Sequence, residues 1–283
     1  MRRHYIGGVN MKKRILKKVV AMSIAATIGI TLMACGNKKD ADVVDTIKSN
    51  KKLVVGLSAD FAPYEFHAMI DGKDTISGFD VELAKEIAKD LGVELEFKEM
   101  EFNSLIAALQ AKQINMIISG MNPNDERKKQ IDFSDIYYEA QHGVLVNSSD
   151  VDKYKKVEDL AGKIIGAQLG STQQTIAEEQ ANAAKLQLLP DVNNLILELK
   201  TGKVNAIITE EPVAKMAIKN NPEIALSEIK FPAEGGGNAI GMAKGSPKLV
   251  EAVNSTIKRL KESGDLEKFI IEANDLAALN ASK

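Results

Sequence analysis

Gly78-Phe79-Asp80-Val81-Glu82-Leu83-Ala84-Lys85-Glu86-Ile87-Ala88-Lys89-Asp90-Leu91 decides how this chain folds. Val81, Leu83, Ala84, Ile87, Ala88 and Leu91 recur at helical spacing, with Gly92 just beyond them as a stop. The spacing predicts an amphipathic helix with one buried face. Strand-like runs flank it, Leu53-Val54-Val55-Gly56-Leu57 before and Val93 to Phe97 after. Alternation of this kind predicts parallel strands covered by helices.

The pattern continues outward. Leu105 to Ala111 reads as a helix and Asn115 to Ile118 as a strand. In the second half, strands over Lys163 to Ala167, Gln187 to Leu189 and Ala206 to Thr209 alternate with helices over Thr172 to Ala184, Val192 to Leu199 and Pro212 to Lys219. The stretch Leu109-Gln110-Ala111-Lys112-Gln113-Ile114-Asn115-Met116-Ile117-Ile118-Ser119 is echoed by Leu199-Lys200-Thr201-Gly202-Lys203-Val204-Asn205-Ala206-Ile207-Ile208-Thr209. Each reads as a helix end, a tight turn, a buried strand and a hydroxyl at the strand's carboxyl end. Helix-turn-strand units share a grammar, so the echo fits coincidence as well as two α/β lobes. Two lobes would each present strand ends to one cleft, where open α/β sheets bind ligands.

Gly143-Val144-Leu145-Val146 and Ala239-Ile240-Gly241-Met242-Ala243 are apolar runs suited to strands that cross between the lobes, and Gly235-Gly236-Gly237 supplies backbone freedom beside the second. Helices over Pro247 to Ser263 and Leu266 to Ala273 would then return to the first lobe. The expected fold is an α/β protein of two lobes with two hinge-crossing strands. Its expected divisions are a leader at 1–34, a tether at 35–50, a first lobe at 51–142, a second lobe with its hinge strand at 143–238, and a second hinge strand with C-terminal helices at 239–283.

The 283 residues are 45% hydrophobic and 27% charged, enough to bury a core. The net charge of −2 conceals an asymmetry. Seven of the 37 Lys and Arg precede residue 35, where there is no acid, so the remainder sets 30 basic side chains against 39 acidic ones. A body that acidic is a poor phosphate-backbone binder, which argues against nucleic acid as a partner. The early cations run into an apolar stretch from Val19 to Ala34 that is short for a membrane span and reads as an export signal. Its start is Met1 or Met11. The run ends at Cys35, the one cysteine, preceded by Leu32-Met33-Ala34. This resembles a bacterial lipobox, with Met33 atypical, and the resemblance implies cleavage before Cys35 and lipid on its sulfur. With no second cysteine there is no disulfide.

The stretch 78–91 resembles the signature of the family 3 extracellular solute-binding proteins, the polar amino-acid receptors of ABC importers, and the likeness runs from about Lys52 to Phe269. The resemblance implies a type II periplasmic-binding-protein fold, a monomer, a free amino acid as ligand and permease subunits as partners. It also implies a place on the extracytoplasmic face of a membrane, foremost a Gram-positive cell surface. Asp60-Phe61-Ala62-Pro63-Tyr64-Glu65-Phe66 is similar to the first ligand loop, and Ser119 to Arg127 to the carboxylate-clamp loop. Gly170-Ser171-Thr172-Gln173 is similar to the second lobe's helix start, and Thr209-Glu210-Glu211-Pro212 to the amine-binding turn.

A free amino acid offers a carboxylate, an ammonium and a side chain. Arg127 supplies a planar fork of donors for the carboxylate. Ser171, Thr172 and Gln173 stand where free amides and the helix dipole favour an anion. Glu210 is the expected ammonium partner, with Glu211 as the alternative. Ser119, the Gly120 carbonyl, Met121 and Asn122 complete the clamp loop. Phe61 forms an apolar wall with Tyr64 near it. Ser58 occupies a place where several relatives carry an acid that reads the ligand side chain; Glu65 restores a negative group nearby, and Gln168 lines the pocket. Glutamine and arginine lead among the ligands.

Two other readings compete. One is a tethered amino-acid sensor without transport. The other is an exported dehydratase of the same fold. Against an enzyme, His4, His67 and His142 have no zinc-ligand or triad spacing, and HExxH, Gly-x-Ser-x-Gly and P-loop patterns are absent. No cofactor or metal is expected.

Overall fold

The structure is a computed structural model describing residues 43–280. The leader, Cys35 and the first part of the tether lie outside the described residues. The rest of that tether is not one: α1 (Val43–Asn50) is a helix with Val44 and Ile47 buried. Val43 and Val44 stand four and three residues before Ile47, which puts all three on one helix face.

Two five-stranded sheets carry the fold. The first contains β1 (Lys52–Leu57), β5 (Glu94–Glu99), β6 (Met116–Ile117), β7 (Ile131–Phe133) and β13 (Gly241–Ala243), in the order β5-β1-β6-β13-β7. The second contains β8 (His142–Asn147), β9 (Ile164–Gln168), β10 (Lys185–Leu189), β11 (Ala206–Glu210) and β12 (Ile224–Phe231), in the order β10-β9-β11-β8-β12. A small antiparallel sheet of β2 (Asp60–Phe61), β3 (Glu65–Ile70) and β4 (Lys73–Ser77) follows β1.

The expectation of parallel strands holds for three strands of each large sheet; β8 and β13 run antiparallel to their neighbours. The cause is topological. The parallel strands end at the cleft, so a chain that enters a sheet from the cleft must run the other way. The apolar runs read as crossing strands therefore lie inside the sheets. The crossings are the segments 134–141 and 232–240, joined by an antiparallel bridge between Tyr138 and Asn238. Gly237 belongs to that bridge by necessity: its φ is +141°, and a Cβ there would lie 2.3 Å from the Tyr138 carbonyl oxygen.

The echo in the sequence is structural. Lys112 and Gly202 occupy equivalent left-handed turn positions, with φ of 58° and 73°. Asn115 and Asn205 make the same pair of bonds. Each donates its backbone N–H to, and accepts with its side chain from, Val54 and Ile164 respectively. Each asparagine thus fastens its strand to the neighbouring parallel strand.

The helices are α2 (Phe79–Leu91), α3 (Leu105–Gln110), α4 (Asp125–Gln130), α5 (Thr172–Glu179), α6 (Val192–Lys200), α7 (Glu211–Asn220), α8 (Pro247–Ser263) and α9 (Asp265–Asn280). The helix expected to reach Ala184 stops at Glu179, and Asn182 just beyond is left-handed, with φ 45°. The last helix is longer than expected. Its Ala277 is buried with Phe66 and Ala68 of β3 and with Met216 of α7, so the C-terminal helix touches both the small sheet and a helix that covers the second large sheet. No described helix is long and apolar enough to cross a membrane.

The signature stretch explains itself in this fold. Gly78 opens α2 with φ +132°, and a Cβ there would lie 2.0 Å from the Tyr64 carbonyl oxygen. That closeness lets the amides of Phe79 and Asp80 donate to the carbonyls of Pro63 and Tyr64. The helix's free amides thereby hold the loop 60–66. Phe79 lies under the Tyr64 ring, with centroids 4.5 Å apart.

Candidate functional site

The carboxyl ends of β1, β6, β9 and β11 converge on a chamber between the two sheets. Its lining includes Ser58, Asp60, Phe61, Glu65, Phe102, Ser119, Gly120, Asn122, Gln168, Ser171, Thr172 and Gln173. The halves are in contact around it, and the space left is about 10 Å³, roughly that of one water molecule. An amino acid enters only if the halves part. A larger open groove of about 700 Å³, lined in part by His67, Glu99, Glu101, Asn193 and Asn280, abuts the chamber at Ser58 and Asp60.

Glu210, at the end of β11, is completely buried. It accepts from Tyr64 Oη at 2.5 Å, from Asn122 Nδ2 at 3.1 Å and from Asn238 Nδ2 at 2.9 Å. Burial pushes its carboxyl up to about 7, against the pull of those three donors. Glu211 turns away and pairs with Lys215 and Lys230. Asn238 also donates to the Gly120 carbonyl at 2.7 Å. It directly follows Gly235-Gly236-Gly237 and carries no sequence pattern that would have singled it out.

Arg127 sits in the first turn of α4, whose Asn124 cap accepts from the Arg127 backbone amide. Its guanidinium donates to the Asn122 carbonyl at 2.8 Å and, across the cleft, to the Gly170 carbonyl at 2.9 Å, and it lies over the Phe102 ring at 5.3 Å. Asn122 thus touches Arg127 through its backbone and Glu210 through its side chain. Opposite, Ser171 caps α5 by accepting from the Gln174 amide, and donates to the Gln168 carbonyl. Thr172 is buried, and its hydroxyl has no partner. Gln173 Nε2 lies 3.2 Å from His142 Nδ1; burial lowers that imidazole to about 4, so it is neutral.

On the first-lobe side, Ser58 donates its amide to Ser119 Oγ at 3.0 Å, and Ser119 donates to Glu65 Oε1 at 2.5 Å. Glu65 Oε2 and Asp80 Oδ1 are buried with no donor from elsewhere, and the two carboxyls bond to each other. Burial drives both carboxyls up, and the charge of Asp80 adds to the effect on Glu65. Asp80 Oδ2 accepts from the Gly120 amide and from Tyr137 Oη, each at 2.9 Å. The aspartate of the signature therefore fastens the clamp loop to a crossing segment. Phe61 and Tyr64 pack with ring centroids 5.2 Å apart.

The fold brings Ser58, Phe61, Ser119, Gly120, Asn122, Arg127, Ser171, Thr172, Gln173 and Glu210 around one cleft. Met121 is the exception. Its side chain lies in the apolar cluster of Leu105, Leu109 and Ile131, and its carbonyl accepts from the Ala239 amide. Between Gly120 and Asn122, which face the cleft, the alternating backbone turns Met121 into the core. Tyr64 proves to be more than a wall, because its hydroxyl reaches Glu210. Among the described residues, no group of His, Cys, Asp and Glu is arranged to hold a metal ion.

Two α/β halves closing on a polar chamber at their strand ends define a receptor for a small solute. Residues 53–272 match the bacterial extracellular solute-binding proteins, family 3, and the chain belongs to that family. It is 39% identical over 259 residues to the arginine-binding extracellular protein ArtP of Bacillus subtilis (strain 168), covering 90% of this chain and 96% of the relative. It is 31% identical over 263 residues to the ABC transporter glutamine-binding protein GlnH of the same organism, covering 88% and 94%. Among solved structures, the amino acid ABC transporter substrate-binding protein AbpA of Streptococcus pneumoniae, bound to L-arginine, superposes with a TM-score of 0.81. It shares 46% identity and covers 83% of this chain and 99% of that one.

Proposed function

We propose that this protein captures L-arginine by closure of its two lobes and delivers it to an ABC permease. The carrying observation is the acidic character of the chamber: Asp60 and Glu65 line it, Glu210 stands behind the lining Asn122 as its hydrogen-bond acceptor, and Arg127 bonds across the cleft to the Gly170 carbonyl. In this reading Arg127 and the open amides of α5 take the ligand carboxylate, with the unpartnered Thr172 hydroxyl as a further donor. Glu210 takes the ammonium, Phe61 packs on the aliphatic stem, and Glu65, which lines the chamber, takes the guanidinium. Closure removes water and strengthens each of these contacts. The reading agrees with what ArtP and AbpA bind.

Glutamine is the second reading, favoured by the amides of Gln168 and Gln173 in the lining and by the likeness to GlnH. Transport by a binding protein, rather than catalysis, accounts for the site. Lipid on Cys35 would hold the protein as a monomer at the outer face of the membrane. Calorimetry with arginine, lysine, histidine, glutamine and citrulline tests the assignment. Arginine binds tightest if it is right; glutamine ahead of arginine, or no amino acid bound, refutes it.

A further inference from the structure

Asp60 lies in β2, one residue before Phe61, and lines both the chamber and the outer groove. Within its own lobe, Oδ1 accepts from Ser58 Oγ at 2.8 Å. Oδ2 reaches across the cleft, where it accepts from the Val192 amide at 2.7 Å and from Gln168 Nε2 at 3.2 Å. Val192 is the first residue of α6 and Gln168 the last of β9. One carboxylate oxygen thus joins two second-lobe elements to the first lobe's ligand loop.

These three partners are neutral. Asp191 is the charge that acts on Asp60; Glu65 lines the chamber, Glu99 and Glu101 the groove, and the groove's His67 is already paired with Asp74 and Glu99. Closing the cleft without a guest buries the Asp60 carboxylate without a counter-charge, which opposes closure in a low dielectric. Burial accordingly pushes its carboxyl up to about 6. A guest with a cationic side chain supplies the missing charge, and the same bonds to Val192 and Gln168 then favour closure. A ligand shifts such an equilibrium only by its preference for one state.

We propose that Asp60 is a specificity-determining latch: it fastens the second lobe on closure and makes closure favourable when the captured amino acid carries a positive side chain. This rests on the amino-acid-binding reading above. The test compares purified wild type, Asp60→Asn and Val192→Pro by calorimetry with arginine and with citrulline, its neutral ureido analogue. X-ray scattering reports compaction in the same samples. Asparagine keeps an acceptor for the Val192 amide but removes the charge. Proline is tolerated at a first helical position and removes that amide, and Val192→Ala, which keeps the amide, controls for the loss of the buried valine side chain.

The expected results differ between the variants. Asp60→Asn weakens arginine binding at least 30-fold and moves citrulline less than threefold. Val192→Pro weakens both ligands by a similar factor of about ten, with incomplete compaction at subsaturating ligand. An arginine-to-citrulline ratio unchanged in Asp60→Asn overturns the charge role. Wild-type affinity and compaction in Val192→Pro overturn the latch. A wild type that binds neither compound refutes the amino-acid reading itself, whatever the variants do.

Discussion

Replacing Glu210 by glutamine should raise the stability of the ligand-free protein while abolishing its binding. Glu210 is completely buried, and its carboxyl rises from 4.5 to about 7. A folded-state value above the unfolded one means that the folded protein holds the proton more tightly. The resulting stability is fully present below pH 4.5 and is lost as pH rises through 7. The interval corresponds to about 3 kcal/mol. Glutamine keeps the shape and an acceptor for Tyr64 or Asn238 but cannot ionise. The variant and the wild type should therefore be nearly equal at about pH 4.5, with the variant gaining about 1–3 kcal/mol by pH 8, some of the gain being lost with one acceptor. In a domain of this size that raises Tm by roughly 3–9 °C.

Asp60 and Asp80 also rise, to about 6, and give both proteins a common slope at lower pH. The difference between the two curves isolates Glu210. Thermal unfolding from pH 4.5 to 8.5 measures it, and calorimetry with arginine measures the loss of binding, expected at no less than about 100-fold for a buried ammonium left without its charge partner. A flat difference curve, or a variant less stable than wild type at pH 8, refutes the strained-carboxylate argument. Unchanged affinity removes Glu210 from the ammonium site.

Four further outcomes follow from the geometry. Thr172→Val replaces a buried hydroxyl that has no partner, so urea unfolding should show unchanged or slightly raised stability while arginine affinity falls about 10-fold or more. Asp80→Ala leaves the Gly120 amide and the Tyr137 hydroxyl buried without an acceptor and should cost about 2–4 kcal/mol in urea unfolding, with Asp80→Asn costing less. Arg127→Ala should weaken arginine binding by about 2–5 kcal/mol in calorimetry; near-normal affinity would exclude it from the carboxylate site. Cys35→Ala should leave ligand affinity intact and release the protein from cells into the medium, as fractionation and immunoblotting would show.

The parts of the fold that repeat with a period were legible. Helix 79–91, the parallel strands and the echo of 109–119 in 199–209 follow from apolar spacing, because burial imposes that spacing directly. The crossings were misplaced by a few residues, since a strand buried inside a sheet and one passing between lobes are equally apolar. Asn238 and Asp60 went unassigned for a different reason. Each owes its place to partners more than 100 residues away, Gly120 and Val192 respectively, and such a pairing leaves no trace in local spacing. Met121 was assigned with its neighbours to the clamp loop, but a side chain's direction depends on backbone turns that composition does not carry.

The C-terminal helix has a practical bearing. Because Ala277 is buried with Phe66 and Met216, the two halves also meet away from the cleft and the two crossing segments. An affinity tag or fluorescent fusion attached beyond Asn280, the last residue of α9, would load that contact like a lever arm, altering how far the jaws swing. Reporter fusions for this receptor are better placed on exposed loops, where their weight bears on neither half's travel.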